Sequence, residues 1–185
     1  STFTEETYQL TIGDTSLPTV VTMPRIASEL VQVPGVVLLS GLGKPDQHLS
    51  VDLNKPFRDL AQGLGTRGIA VIRYAQRARE RPEEFASGAS IDHLLVEDAI
   101  SAAKALGADP RVDADRIIFV GHGLGAFAAP LAAKAADAQR VVLLSPFAPP
   151  LEDEVERWQK FAAEVMDLPD TQIDAGLLEA SGAEQ

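Results

Sequence analysis

Three features of the sequence predict an α/β fold of the three-layer α/β/α kind, built on a mostly parallel sheet of about six strands. Short continuous apolar runs recur at Val36-Val-Leu-Leu39, Ile69-Ala-Val-Ile72, Ile117-Ile-Phe-Val120 and Val141-Val-Leu-Leu144, as in strands buried on both faces. Between them lie segments with apolar residues at helical spacing, so that strand and helix alternate. The start of the chain alternates apolar and polar residues instead, which adds an antiparallel hairpin at one end of the sheet.

Taken in order, Tyr8-Gln-Leu-Thr-Ile12 and Thr19-Val-Val-Thr-Met23 are the hairpin strands, with a turn at Gly13-Asp14. Pro34-Gly35 introduces the first buried run. A helix with Phe57, Leu60, Ala61 and Leu64 on one side ends by Gly68, before the strand Ile69-Ala-Val-Ile72. Residues 76–90 are polar and predict a long loop with one helical turn. Leu94, Leu95, Ala99, Ala102 and Leu106 then share the core face of a helix that Gly107 stops. The strand Ile117-Ile-Phe-Val120, a helix over 124–136 and the strand Val141-Val-Leu-Leu144 follow. A last amphipathic helix over 152–166 carries Val155, Trp158, Ala162 and Val165, and a weaker one spans 173–180. The expected organisation is a core over 1–150 and a helical segment over 151–185, a cap remnant or a dimerisation element.

Composition narrows the function classes. The 185 residues are 45% hydrophobic, enough for a real core. There is no cysteine, so disulfides and cysteine zinc sites are excluded. No leader or membrane-length apolar run is evident, which gives the expectation of a cytoplasmic protein without membrane association. The net charge is −11, and residues 152–185 hold ten acidic residues against two basic ones, Arg157 and Lys160. Such a surface repels phosphate backbones, so no nucleic-acid partner is expected.

The stretch Phe119-Val-Gly-His-Gly-Leu-Gly-Ala126 carries the chemistry. G-x-S-x-G marks a sharp strand-to-helix turn that presents a serine nucleophile above a sheet. Gly121, His122, Leu124 and Gly125 keep that frame, but Gly123 stands where the serine belongs. The exchange is gentle on the backbone, because glycine takes strained turn conformations without a β-carbon penalty.

Together with Asn54-Lys-Pro-Phe57, Arg67-Gly-Ile-Ala-Val71, Arg73-Tyr74, Asp113-Ala-Asp-Arg-Ile117 and Val142-Leu-Leu-Ser-Pro146, the motif resembles the α/β-hydrolase superfamily. The nearest types are bacterial enzymes of the esterase, thioesterase and dienelactone-hydrolase-like kind. The resemblance covers about residues 33–150. It implies an oxyanion hole where the loop after the third strand meets the elbow. That loop reads Ser40-Gly41 in place of the usual His-Gly, and Ala75-Gln76 follows Arg73-Tyr74 where an acidic and a basic residue are common. Family members place the catalytic Asp or Glu and the His after the sixth strand. The resemblance therefore implies a truncated α/β-hydrolase fold that is not a conventional serine hydrolase as it stands.

The candidate binding residues are Gly41, Leu42, Gly123 and Leu124, with the N–H groups of Leu124 and Leu42 as the surviving oxyanion donors. The basic run Arg73, Arg77, Arg79 and Arg81 is either solvated loop charge or a grip for an anionic substrate, with Arg77 the binding candidate. His122 is either a buried, hydrogen-bonded histidine or a general base. His48, beside Asp46 and Gln47, is either a surface loop residue or a group overhanging the pocket. Ser40 and Ser145 end strands but have no adjacent base, and a serine without a base is a weak nucleophile. His93 is exposed decoration of a helix start. No histidine–carboxylate spacing suggests a metal, and no cofactor is implied.

Without a following strand, Val141-Val-Leu-Leu144 becomes a hydrophobic sheet edge. It is expected to be covered by the C-terminal helix, by the same strand of a second copy in a homodimer, or by another chain. Three functional readings follow. The first is a non-hydrolytic binder or non-covalent catalyst for a small carbonyl or carboxylate molecule. The second is an esterase or thioesterase subunit inactivated at position 123 or completed by a partner chain. The third is a structural module with a vestigial pocket.

Overall fold

The structure, a computed structural model, describes residues 2–41, 43–85 and 92–146. Strands β1 (Phe3–Ile12) and β2 (Thr15–Pro24) form the expected hairpin, and Gly13 takes φ +62° in its two-residue turn. Glycine at the first central position suits a type II′ turn, whose twist matches that of paired strands. The chain then runs through β3 (Val33–Leu39), α1 (Pro56–Gly65), β4 (Ala70–Tyr74) and the short α2 (Arg77–Glu80). A 3₁₀ turn at Pro82–Phe85 and a π-helical turn at Asp92–Val96 lead to α3 (Glu97–Gly107). β5 (Val112–His122), α4 (Leu124–Ala135) and β6 (Arg140–Leu144) complete the described order.

The six strands make one sheet in the order β1-β2-β4-β3-β5-β6. β4, β3, β5 and β6 are mutually parallel, while β2 joins β4 antiparallel and β1 pairs antiparallel with β2. Helices cover both faces. On one, α3 and α4 enclose Val37, Leu39, Ile72, Ile117 and Phe119. On the other, α1 lays Phe57 and Ala61 against Val36, Leu38, Val71 and Val120. The residues of α1 that point inward are those its helical spacing places on one side, and Phe57 alone contributes roughly 1.5–3 kcal/mol by leaving water.

β5 begins at Val112, earlier than its apolar run suggests. Val33 pairs with Val112 across a register shift, and the Val33 N–H donates to the Arg111 carbonyl at 3.0 Å. The polar residues between stay extended at the surface, where Arg116 holds Asp113 at 2.6 Å. β6 is the outer strand: Val141, Val142 and Leu143 are 38%, 44% and 42% exposed. Its outer edge carries no partner strand among the described residues. The expected helix with Trp158 lies outside the described residues, as do Ile91 and residues 147–185 generally. Among the described residues, no helix is long and apolar enough to cross a membrane.

Candidate functional site

The site is built where β5 turns into α4. The strand ends at His122 and the helix starts at Leu124, so one residue makes the whole turn. Gly123 does so at φ 58°, ψ −119°, a backbone conformation that strains any residue with a β-carbon. Its N–H donates to the Leu144 carbonyl at 3.0 Å, tying the turn to β6, and its carbonyl accepts from the Ala126 N–H at 3.0 Å. The flanking glycines permit this closeness. A β-carbon on Gly121 would overlap the Gly125 carbonyl, and one on Gly125 would overlap the Leu39 carbonyl and stand 2.6 Å from that of Ser40. The Leu124 N–H occupies the first helical position and has no intrahelical acceptor. It lies at the positive end of a twelve-residue helix.

The loop after β3 reaches the same point. A β-carbon built on Gly41 would stand 3.1 Å from the His122 carbonyl oxygen, 3.6 Å from the Leu124 nitrogen and 3.8 Å from the Gly123 Cα. The side chain of Gln76, from the end of β4, holds this loop. Its Nε2 donates to the Gly41 carbonyl at 2.6 Å and to that of Ser40 at 3.3 Å. Gly41, Ser40 and Gln76 are all buried.

Two buried arginines flank these elements. Arg77 sets its Nη2 2.6 Å from Asp98 Oδ1, and its Nε also donates to that carboxylate. The two side chains are 7% and 1% exposed. Burial pushes the Asp98 carboxyl above its usual range, against the pull of Arg77. Arg73 lies on the α1 face, where it donates to Glu5 at 2.6 Å and to the Thr22 hydroxyl at 2.8 Å. Burial acts to raise the Glu5 carboxyl, but the Arg73 bond and charge outweigh it and hold it below its usual range. Arg73 Nε also donates to His48 Nδ1 at 3.4 Å. Burial and the Arg73 charge together depress the His48 imidazole, favouring its neutral form.

Comparison with known proteins decides the family. A family model described as the alpha/beta hydrolase family matches residues 36–182. The chain belongs to the alpha/beta hydrolase family. Esterase EstD of Thermotoga maritima is 34% identical over 145 residues, which are 78% of this chain and 34% of that protein. The hydrolase-family chain thus spans about a third of the length of this curated relative. Among solved structures, a dienelactone hydrolase-like promiscuous phosphotriesterase, P91, from metagenomic libraries superposes with TM-score 0.61 at 18% identity, covering 81% of this chain and 62% of that one. Dienelactone hydrolase from Anabaena variabilis gives 0.60 at 20% identity, covering 79% and 65%. These two likenesses establish the fold.

Within this hydrolase fold the predicted residues part company. Gly41, Gly123 and Leu124 meet at the elbow. Leu42 lies outside the described residues. The expectation of solvated charge is corrected for Arg73 and Arg77, which are both buried and pair with Glu5 and Asp98. His48 is joined to Arg73, and its loop is braced by Asp46, which accepts from the His48 and Ser50 N–H groups at 3.0 and 2.9 Å. His122 is partly exposed and pairs with Leu144 on the α1 face of the sheet. Ser40 is buried, whereas Ser145 is exposed at φ +49°. His93 meets Glu97 at the surface, 3.2 Å away. Among the described residues no group of three metal-ligating side chains forms. A groove of about 710 Å³ between α3, α4 and the start of β5, lined by Ile100, Lys104, Ile117 and Ala138, lies away from the elbow. The sequence reading missed Gln76 and Asp98 as site-forming residues. Its one usable signal was Ala75-Gln76, a departure from the family pattern at the end of β4.

Proposed function

We propose that this chain binds a small carbonyl- or carboxylate-bearing molecule at the elbow without forming a covalent acyl intermediate. The observation that carries this reading is Gly123, which adopts the turn of a nucleophile but offers no side-chain atom for attack. What survives there is an oxygen-binding corner: the Leu124 N–H at the positive end of α4, with Gly41 packed against it. Such a corner holds a carboxylate or a polarised carbonyl whether or not a serine is present.

The direct test is incubation with p-nitrophenyl butyrate, followed by release of p-nitrophenol and by intact-protein mass spectrometry. The expected result is no turnover and no butyryl adduct. A stable or transient adduct would overturn the proposal. A second reading, an esterase inactivated at position 123 or completed by another chain, is favoured by the identity to Esterase EstD. It predicts that Gly123→Ser releases p-nitrophenol, whereas the first reading predicts continued silence.

A further inference from the structure

We propose that Gln76 is the positioning residue of the oxygen-binding corner, a side-chain staple that sets where the Ser40–Gly41 segment meets the elbow; the inference rests on the binding reading above. One residue reaches both ends of one loop. The Gln76 amide donates to the carbonyls of Ser40 and Gly41, and its backbone N–H donates to the Pro45 carbonyl at 3.1 Å. A primary amide has two N–H hydrogens on one nitrogen, enough to serve two successive carbonyls. Glutamate in its ionised form has no donor to give, and methionine, of similar length, has none at all.

The staple has a fixed base. The Ala75 N–H is bound to the Pro18 carbonyl at 2.9 Å, and Arg77 is buried on Asp98 of α3. Gln76 therefore starts from backbone held on both sides, and its side chain is 2% exposed. Arg79 adds a bond to the Lys44 carbonyl at 3.1 Å, from the same short helix to the same loop. Gly43, within the loop, sits at φ +94°, where the chain turns sharply. The side chain is also costly in a way that points to the site. Among the described residues its buried Oε1 has no hydrogen-bond partner, a cost that a residue kept only for packing would not bring.

The consequence for the corner follows from proximity. Gly41 lies against the His122 carbonyl, Gly123 and the Leu124 nitrogen, so holding the Ser40 and Gly41 carbonyls sets how closely this segment walls the Leu124 N–H. A donor stabilises an incoming oxygen best when its surroundings are fixed before the oxygen arrives.

The test compares wild type with Gln76→Met by hydrogen-exchange mass spectrometry and by titration with sodium butyrate. Exchange over residues 40–48 should quicken about tenfold in the variant while β3 and β5 are unchanged, and the butyrate dissociation constant should rise roughly tenfold with little change in Tm. Unchanged exchange in a folded variant, or unchanged butyrate affinity beside a loosened loop, would overturn the proposal. Wild type that binds no butyrate would sink the binding reading, and exchange over residues 40–48 would still decide the staple. Should Gln76→Met fail to fold, the Gln76 side-chain amide protons of the wild type provide the answer by NMR. Slow solvent exchange supports the staple, and exchange at the rate of a free amide refutes it.

Discussion

Asp98→Ala removes one partner of a buried ion pair and takes away the carboxylate that two nitrogens of Arg77 hold. The two side chains are 7% and 1% exposed and meet at 2.6 Å, with a second nitrogen of Arg77 also donating. Breaking such a pair from one side costs about 3–5 kcal/mol, because the remaining charge cannot reach water without local unfolding. That is a large share of the roughly 5–15 kcal/mol that keeps a domain folded, and it corresponds to a Tm drop of roughly 6–20 °C for a chain of this size. Urea denaturation followed by circular dichroism measures it. The double variant Arg77→Met/Asp98→Leu removes both charges and should recover to within about 2 kcal/mol of wild type. A loss below about 1 kcal/mol for Asp98→Ala would refute the reasoning, because it would mean that Arg77 finds solvent or another acceptor at little cost. The pair also anchors the segment from which Gln76 reaches the loop, so the variant should loosen residues 40–45 as well.

Three further outcomes are expected. Gly121→Ala should abolish folding or cost more than about 4 kcal/mol in a melt, because its β-carbon overlaps the Gly125 carbonyl, which is backbone and cannot swing aside. Gly123→Ser should lower stability by about 1–3 kcal/mol in the same assay, since the turn at φ 58° charges strain to any β-carbon. For His48 the folded state disfavours the proton, through burial and then the Arg73 charge. The unfolded chain therefore binds more protons, and stability falls as pH drops below the unfolded value near 6.5 and on through the depressed folded one. Urea midpoints between pH 7.5 and 5 should fall less steeply in His48→Gln than in wild type, and identical slopes would remove His48 from the account.

The strands and the elbow were legible because their signals are local. Four residues such as Val36-Val-Leu-Leu39 declare a strand buried on both faces, and Gly121 and Gly125, spaced as in the elbow motif, declare a turn with no room for side chains at those two positions. The ion pairs were not legible, because polarity in a sequence reads as exposure. Arg73 and Arg77 sit in a run of charges that looks solvated, yet their partners Glu5 and Asp98 lie 68 and 21 residues away in the chain. The length of β5 was hidden for the same reason, its first half being polar and held by pairing to Val33. Gln76 was visible only as a departure from a family pattern, since nothing in one sequence says that a glutamine's amide will face two carbonyls of a distant loop.

The central claim is an elbow that binds an oxygen without a nucleophile. An NMR titration of the ¹⁵N-labelled chain with sodium butyrate tests it most directly. The account predicts saturable shifts centred on the amides of Leu124, Gly123 and Gly41, with a dissociation constant on the order of 1 mM. No shift at Leu124 by about 50-fold that concentration, or shifts centred on the groove beside Lys104 instead, would contradict it.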